Sequence, residues 1–182
     1  MGIDCKTEFE CLLSAADIQK RIKELAAEID RDYGSDRIMA VGILNGAVLF
    51  MADLIRELTV PVEYDFVGFK SYVGSESNGD IEVTKRIKGD IAGKRILIVE
   101  DIIDTGRTLC ESNLISKLID KGAVDVKVCC LLDKPSRRTH TVNIHYTGFT
   151  IDDQFVVGYG LDYDGLYRNL PYIGIFDPEL HK

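Results

Sequence analysis

Three apolar runs of strand length recur along the chain, at 38–44, 95–99 and 124–132. Segments with the helical spacing of apolar residues follow the first two runs, at 47–58 and 105–121. Strands that alternate with helices predict βαβ units, and hence an α/β fold with a mostly parallel sheet covered on both faces. Because ligands bind beyond the carboxyl ends of the strands in such sheets, we expect the functional residues just after each run.

Weaker patterns extend this fold on both sides. Ser14 precedes a segment whose apolar residues share one helical face over 18–29, so it predicts a helix N-terminus. Two further strands are expected at 61–69 and 81–87, separated by the polar, glycine-bearing segment 71–80. A short strand-rich tail follows the last apolar run. We expect the polar segment to be mobile.

The composition fits one globular domain that spans residues 1–182. The chain is 46% hydrophobic and 29% charged, with a net charge of −8, a balance that argues against non-specific binding to nucleic acid or anionic membranes. The longest uncharged stretch covers 15 residues, at 38–52, whereas a transmembrane helix needs about 20. The five cysteines lack the spacing of metal ligands. We expect a cytoplasmic protein without a signal peptide.

The second apolar run leads into ILIVEDIIDTGRTL, residues 96–109. The backbone N–H groups and hydroxyls of 105–108 would form a concave anion site where the strand gives way to a helix. Glu100 and Asp101 cannot bind phosphate, but they suit sugar hydroxyls or a hard cation such as Mg²⁺. The stretch therefore predicts a site for a phosphorylated ribose. The alternative is a solvated acidic loop in which Thr105 only caps the helix.

Four motifs together resemble one enzyme family. VEDIIDTGRTL is similar to the phosphoribosyl-pyrophosphate (PRPP) signature of the type I phosphoribosyltransferases, and LLDKPSRR, FVVGYGLDY and YRNLPYIG follow in the order found in the hypoxanthine-guanine phosphoribosyltransferases. The resemblance covers about 18–175. It implies the type I phosphoribosyltransferase fold, a central mostly parallel sheet flanked by helices, with a small hood formed by the terminal segments.

The resemblance implies roles for the acidic stretch. In the family, the acids that match Glu100 and Asp101 hold the ribose hydroxyls and help to organise Mg²⁺. Asp104 matches the general base near N7 of the purine, which lets N9 form the glycosidic bond. Asp104 is also expected to contact the phosphoribosyl group, together with Glu100 and Asp101, and Thr105, Gly106, Arg107 and Thr108 would hold the 5′-phosphate.

Pyrophosphate and the mobile loop have their own matching residues. Asn45 and Gly46 match the pyrophosphate-binding loop, whose peptide can be cis in the family, although many relatives carry Lys or Arg where this chain has Asn45. Arg168 matches an arginine that contacts pyrophosphate. Ser71 and Tyr72 match the start of a loop, about 70–82 here, that closes over the site and keeps water out.

The purine site is implied by the last motifs. Lys134 matches a lysine that donates to the exocyclic O6, and a donor-only ammonium selects a 6-oxopurine over the 6-amino group of adenine. Phe155 would stack on the purine, and the backbone of Val156 would read its edge. Asp162 would lie near a second Mg²⁺ and the purine 2-position. Without the resemblance, Lys134 is typical of a solvated loop tip and Phe155 of a core aromatic.

The expected reaction is purine salvage, in which Mg²⁺, PRPP and hypoxanthine or guanine give IMP or GMP and pyrophosphate. The resemblance also implies a homodimer or homotetramer. Two alternatives stay open: the same scaffold with a preference for xanthine, and a PRPP-sensing regulator that binds nucleic acid. The regulator would need a basic surface or an added DNA-binding segment, and the acidic composition offers neither.

Overall fold

The computed structural model describes residues 9–71 and 81–177. Strands and helices alternate through most of this part of the chain. In chain order the elements are β1 (Glu10–Leu13), α1 (Ala15–Tyr33), β2 (Ile38–Leu44), α2 (Val48–Glu57), β3 (Val62–Ser71), β4 (Ile81–Lys85), β5 (Arg95–Ile103), α3 (Arg107–Glu111), α4 (Leu114–Asp120), β6 (Asp125–Asp133), β7 (Tyr146–Thr150), β8 (Val156–Val157) and β9 (Ile173–Ile175).

Two sheets organise these elements. The larger has six strands in the order β4-β3-β2-β5-β6-β7, parallel except for the antiparallel pair β3–β4. The smaller is antiparallel, in the order β1-β9-β8, and joins the start of the described chain to its end. The expected α/β architecture, a mostly parallel sheet with a hood of terminal strands, is confirmed.

Alternate residues of the central strands pack into two cores, as the two-residue period of a strand dictates. Ala40 faces the core that contains the apolar residues of α1 and α2, whereas Met39 and Val41 face the core that contains Leu109, Leu114 and Leu118 of α3 and α4. Helices therefore cover both faces of the sheet. The carboxyl ends of β2, β5 and β6 lie at one edge of this layered structure because these strands run parallel.

Helix α1 follows from its sequence. The Ser14 side chain accepts a hydrogen bond from the Asp17 backbone N–H, as an N-cap does. The predicted apolar face is buried, and Gly34 with φ of 60° follows the last turn, where its missing side chain permits a left-handed φ.

Strand β5 is longer than predicted. The sequence suggested 95–99, but the strand continues to Ile103. The ladder with β2 ends at Val99, whereas the ladder with β6 continues to the pair of Ile103 and Asp133. Glu100 and Asp101 thus lie inside a strand, just beyond the point where its pairing with β2 ends, and not in a loop after it.

The helix predicted at 105–121 is wrong as a single element. Two short helices replace it, because Asn113 adopts the left-handed conformation with φ of 51° and ψ of 32°. The Ser112 hydroxyl accepts a hydrogen bond from the Leu114 N–H at 3.3 Å, which offers the backbone an alternative to helical pairing. After the break, Leu114 and Leu118 of α4 pack into the core on this face of the sheet.

The hairpin of β3 and β4 is anchored at its base. Lys85 Nζ lies 2.5 Å from Asp65 Oδ1, and the Lys88 N–H donates to Asp65 Oδ2 at 2.7 Å. The second strand, predicted at 81–87, ends at Lys85. Of the loop expected at about 70–82, Ser71 is the last residue of β3, and Tyr72 lies outside the described residues. Within the described chain, none of the helices has the length and apolar character needed to cross a membrane.

Candidate active site

Three cavities meet at the carboxyl ends of β2, β5 and β6. The first, about 250 Å³, is lined by 100–109 and is called the Thr105 cavity. The second, about 240 Å³, is lined by Gly46, Asp162 and Arg168 among others and is called the Arg168 cavity. The third, about 260 Å³, contains Lys134 and Phe155 and is called the Lys134 cavity. Asp101 lines all three, so a ligand with three parts could occupy one continuous site.

The acidic pair is held in an environment that disfavours charge. Glu100 is buried, and burial, with a smaller contribution from the Asp101 carboxylate, raises the pKa of Glu100 well above its usual range. Burial raises the pKa of Asp101 to about 6. A hydrogen bond from the Ile102 N–H and the positive charge of Arg168 act in the opposite direction and lower it. Glu100 Oε2 has no hydrogen-bond partner in the described chain. A buried carboxylate oxygen without a partner is costly unless a ligand satisfies it.

Two glycines let three chain segments converge on Asp101. A Cβ placed on Gly46 would lie 1.6 Å from Asp101 Oδ2, and a Cβ on Gly160 would lie 2.0 Å from the Gly46 carbonyl oxygen. Gly160 also has a φ of 100°, which other residues rarely adopt. Gly46 and Gly160 therefore allow the turn after β2 and the turn after β8 to approach the carboxylate.

The Thr105 cavity is built by the turn from β5 into α3. Gly106 has a φ of 80°, and a Cβ there would lie 2.6 Å from the His140 carbonyl oxygen. The Thr105 carbonyl accepts hydrogen bonds from the N–H groups of Thr139 and His140 at 3.1 and 3.0 Å. The turn is thereby fixed from behind. Arg107 Nε lies 2.6 Å from Glu111 Oε2, so part of the Arg107 charge is balanced within α3.

Asp104 lies between the Thr105 and Lys134 cavities and lines both. Its Oδ1 is buried and accepts no hydrogen bond within the described chain, although Arg137 Nε forms an ion pair with it at 3.4 Å. Arg137 also reaches Asp153 Oδ1 at 3.5 Å. The Asp104 backbone is held by Arg138, whose Nε donates to the Asp104 carbonyl at 3.0 Å.

Sequence reasoning missed Arg137 as a site residue. It lies inside the quoted motif LLDKPSRR, and the short 3-10 helix Pro135–Arg137 directs it back toward the end of β5. A cation three residues after Lys134 was the available signal. That signal does not say which carboxylate the cation meets, because the partner lies 33 residues earlier in the chain.

The Lys134 cavity combines a buried cation with an exposed ring. Lys134 is 4% exposed and Phe155 is 43% exposed. Lys134 is therefore not a solvated loop tip, and Phe155 is not a core aromatic. Lys134 Nζ donates to the Gln154 carbonyl, and burial lowers the pKa of the Lys134 ammonium. The Phe155 ring is supported edge-on by Tyr163, with centroids 5.8 Å apart. Val156 also lines this cavity.

Arg168 and Asp162 form a fixed pair in the wall of the Arg168 cavity. Arg168 Nη2 lies 2.6 Å from Asp162 Oδ1, and Arg168 Nη1 donates to the Gly160 carbonyl at 2.5 Å. The second Asp162 oxygen accepts from the Gly165 N–H at 2.8 Å. Asp162 lines both the Arg168 and the Lys134 cavities.

Asn45 and Gly46 take different positions relative to the Arg168 cavity. The Leu44–Asn45 peptide is cis, a question that the sequence left open. Leu44 and Gly46 line the Arg168 cavity, whereas Asn45 is exposed and is absent from that wall. The Asn45 carbonyl accepts from the Val48 N–H at 3.3 Å, so Asn45 connects the turn to the start of α2.

Tyr159 is a second residue that sequence reasoning missed. It is buried and has a φ of 50°, and its hydroxyl donates to Asp53 Oδ2 at 2.6 Å. Gln19 Nε2 donates to the same oxygen at 2.6 Å. Helices α1 and α2 thus brace the turn that carries Gly160 and Asp162. The 106 residues that separate Tyr159 from Asp53 leave no local signal of this contact.

The carboxylates fit a divalent cation that shares its ligands with a substrate. No group of three or more His, Cys, Asp or Glu side chains in the described residues could hold a metal ion by itself. Glu100 Oε2 is nevertheless buried and has no hydrogen-bond partner among the described residues, and Glu100 lines the Arg168 cavity together with Asp101 and Asp162. Mg²⁺ is typically held by one or two carboxylates with water and substrate phosphates, so the donor set suits it.

Comparison with known proteins places the chain in a family. A model of the phosphoribosyl transferase domain matches residues 10–164. The chain is 46% identical to the hypoxanthine phosphoribosyltransferase of Haemophilus influenzae over 93% of this chain and 96% of the relative. It is 44% identical to the hypoxanthine-guanine phosphoribosyltransferase of Bacillus subtilis, over 94% of each. A crystal structure of a hypoxanthine phosphoribosyltransferase from Staphylococcus aureus superposes with a TM-score of 0.88 at 42% identity, over 95% of this chain and 94% of that one. With this coverage and the fold and site described above, the chain belongs to the phosphoribosyl transferase family, among the hypoxanthine-guanine phosphoribosyltransferases.

Proposed function

We propose that this protein transfers the 5-phosphoribosyl group of PRPP to hypoxanthine or guanine, which gives IMP or GMP and pyrophosphate in purine salvage. The observation that carries this proposal is the meeting of three cavities at Asp101, one for each part of the reacting pair. The relatives described as hypoxanthine and hypoxanthine-guanine phosphoribosyltransferases support the same activity.

The Thr105 cavity would hold the 5′-phosphate. Backbone N–H groups of Thr105, Gly106, Arg107 and Thr108 and the two threonine hydroxyls line a turn that is fixed by Thr139 and His140. Such a turn presents backbone N–H groups to an anion. The Arg107 N–H donates to Thr105 Oγ1 at 3.3 Å, so this donor would change partner when the phosphate binds. Glu100 and Asp101, next to it in β5, would hold the ribose hydroxyls.

The Arg168 cavity would hold the pyrophosphate. Arg168 is the cation in its wall, and its guanidinium is oriented by Asp162 and by the Gly160 carbonyl. Held by Glu100, Asp101 and Asp162, Mg²⁺ would supply charge stabilisation of the leaving pyrophosphate. Gly46 would bring the backbone of the turn after β2 against the phosphates, while the position of Asn45 favours a backbone role for this turn.

The Lys134 cavity would hold the purine. Lys134 Nζ would donate to O6, Phe155 would stack on the ring and the Val156 backbone would bind its edge. The ammonium is already desolvated and held by the Gln154 carbonyl, so a base with an acceptor at position 6 completes its hydrogen bonding. A 6-amino group presents a donor to a donor, which is unfavourable.

Asp104 would act as the general base that accepts the purine proton from N7 as N9 attacks C1′ of the ribose. Asp104→Asn removes the basic oxygen while keeping the size of the side chain. We expect kcat with hypoxanthine to fall by about 10²–10⁴-fold. Steady-state kinetics with PRPP, Mg²⁺ and hypoxanthine measure this. Asp120→Asn, at an exposed position in α4, is the matched control, and preserved turnover in Asp104→Asn would remove Asp104 from this role.

A homodimer or homotetramer and a cytoplasmic location complete the proposal, and both rest on the family resemblance. The lid role of Ser71 and Tyr72 is proposed on the same ground. A closed lid would shield the oxocarbenium-like centre from water.

A further inference from the structure

A fourth cavity lies outside the candidate active site, between the β3–β4 hairpin and α4. Its volume is about 310 Å³, larger than each of the three active-site cavities. We call it the hairpin cavity. Phe69 is the one residue of its wall that also lines an active-site cavity. The proposed reaction uses none of its other residues.

The hairpin cavity arises where a strand face and a helix face diverge. Val67 and Phe69 lie two residues apart in β3 and so point to the same side of the sheet, and Val83 of β4 pairs with Phe69. Opposite them lie Leu114, Lys117 and Leu118 of α4 and Lys121, which follows the last turn of the helix; the four have the spacing of one helical face. A face of this kind normally packs against a sheet. Here a gap remains, with apolar side chains on both walls.

The rim of the hairpin cavity is positively charged. Arg86, Lys117 and Lys121 line it, and no acidic side chain of the described residues does. Lys117 Nζ donates to the Ser112 carbonyl at 2.8 Å. The side chains of Arg86 and Lys121 are exposed and form neither an ion pair nor a hydrogen bond with any described residue. In a chain with a net charge of −8, two unpaired cations over an apolar floor complement an anion with an apolar body.

We propose that the hairpin cavity is a binding site for a small organic anion with a flat, apolar body. The volume corresponds to roughly ten water molecules, which suits a ligand with one or two fused rings. Phe69, Val83 and Leu118 would contact the ring system. Arg86 and Lys121 would bind the anionic group at the rim.

Phe69 couples this site to the active site. Phe69 lines both the hairpin cavity and the Arg168 cavity, so a ligand that moves Phe69 in one cavity would change the wall of the other. By linkage, the effect on affinity is reciprocal between the two ligands. The binding site does not depend on the proposed reaction; only the coupling to pyrophosphate does.

Calorimetric titration of the full chain with 2-naphthalenesulfonate tests the site, with neutral 2-naphthalenemethanol as the matched probe. We expect one equivalent of the sulfonate to bind, and Arg86→Gln with Lys121→Gln to weaken it by about three- to tenfold, as expected for two exposed charges. The same double variant should leave binding of the neutral probe unchanged. Lys20→Gln with Lys23→Gln removes the same charge from exposed positions on α1 and should bind the sulfonate like the wild type.

The site is overturned if the double variant Arg86→Gln with Lys121→Gln binds the sulfonate as tightly as the wild type does. It is also overturned if the α1 control weakens binding as much as that double variant. Titrations at rising pyrophosphate concentration then test the coupling. We expect the Kd of the sulfonate to shift to a plateau, because the two cavities share a wall and not a volume. If the Kd of the sulfonate instead keeps rising in proportion to the pyrophosphate concentration, the two ligands compete for the Arg168 cavity, and the site is overturned. An unchanged Kd, with pyrophosphate binding verified separately, would overturn the coupling alone, whereas failure of pyrophosphate to bind would count against the proposed function.

Discussion

At the residue scale, Arg137 forms an ion pair with one carboxylate oxygen of Asp104. Asp104 Oδ1 is buried and has no hydrogen bond with the described residues, and Arg137 Nε lies 3.4 Å from it. Arg137→Ala would leave a buried carboxylate oxygen uncompensated. We expect kcat with hypoxanthine to fall by about tenfold, and Arg137→Lys to restore part of this loss because it returns the charge without the planar geometry.

Steady-state kinetics of the two Arg137 variants measure this effect, and Arg37→Ala is the control. Arg37 is also an ion-paired arginine on the surface, 3.4 Å from Glu63, but it lies at the opposite end of β2 from the cavities. The interpretation fails if Arg137→Ala and Arg37→Ala lower kcat equally.

How far single residues could be predicted depended on how local their surroundings are. The acidic stretch and Lys134 were identified because strand, turn and charged residues are contiguous in the sequence. Arg137 and Tyr159 were missed because their partners, Asp104 and Asp53, lie on other elements. Asn45 was assigned to the pyrophosphate site only by its match to the family, which left open whether its side chain or its backbone would make the contact. In the structure Gly46 lines that cavity and Asn45 does not.

At the element scale, the break between α3 and α4 depends on Asn113. Its left-handed backbone, with φ of 51°, is tolerated by Asn and Gly but costs other residues about 1–2 kcal/mol. We expect Asn113→Ala to lower the free energy of unfolding by that amount, and Asn113→Gly to change it by less than about 0.5 kcal/mol. Urea denaturation of both variants measures the difference. An Asn113→Ala variant as stable as Asn113→Gly would show that the break does not depend on this conformation.

The elements that sequence periodicity placed best are those with a long apolar repeat, such as α1 and β2. The same periodicity gave a wrong prediction at 105–121, because the apolar spacing continues across Ser112 and Asn113 and gives no sign of the break between α3 and α4. The hood was expected only from the resemblance. Its strands, β1 and β9, are three or four residues long and pair across most of the chain, so neither periodicity nor neighbouring residues could reveal the pairing.

At the scale of the whole molecule, the buried acids make stability depend on pH. The folded pKa of Asp101 is about 6, above its ordinary value of 3.8, so between these values the folded protein binds more protons than the unfolded chain. The free energy of unfolding of the metal-free protein therefore falls as the pH rises from about 4 to about 6 through this group, by on the order of 3 kcal/mol, and levels off above that. Burial also raises the pKa of Glu100, so Glu100 too lowers the free energy of unfolding as the pH rises.

Asp101→Asn removes this titration and keeps an oxygen to accept from the Ile102 N–H. We expect the variant to gain stability over the wild type as the pH rises from 4 to 6, and to be the more stable protein at pH 7, in urea titrations with a chelator present. Asp120→Asn should follow the wild type. A constant difference between Asp101→Asn and the wild type across this pH range would mean that burial does not control the Asp101 carboxyl.

The central claim for the whole molecule is that a desolvated lysine beside a PRPP site selects 6-oxopurines. The most direct test is kcat/KM for hypoxanthine, guanine, xanthine and adenine, each with PRPP and Mg²⁺, followed by nucleotide formation. We expect hypoxanthine and guanine to exceed adenine by about 10²-fold or more, because adenine presents a donor to the Lys134 ammonium. A preference for xanthine would keep the account of Lys134 but change the main substrate. Turnover of adenine equal to or faster than that of hypoxanthine would contradict the account.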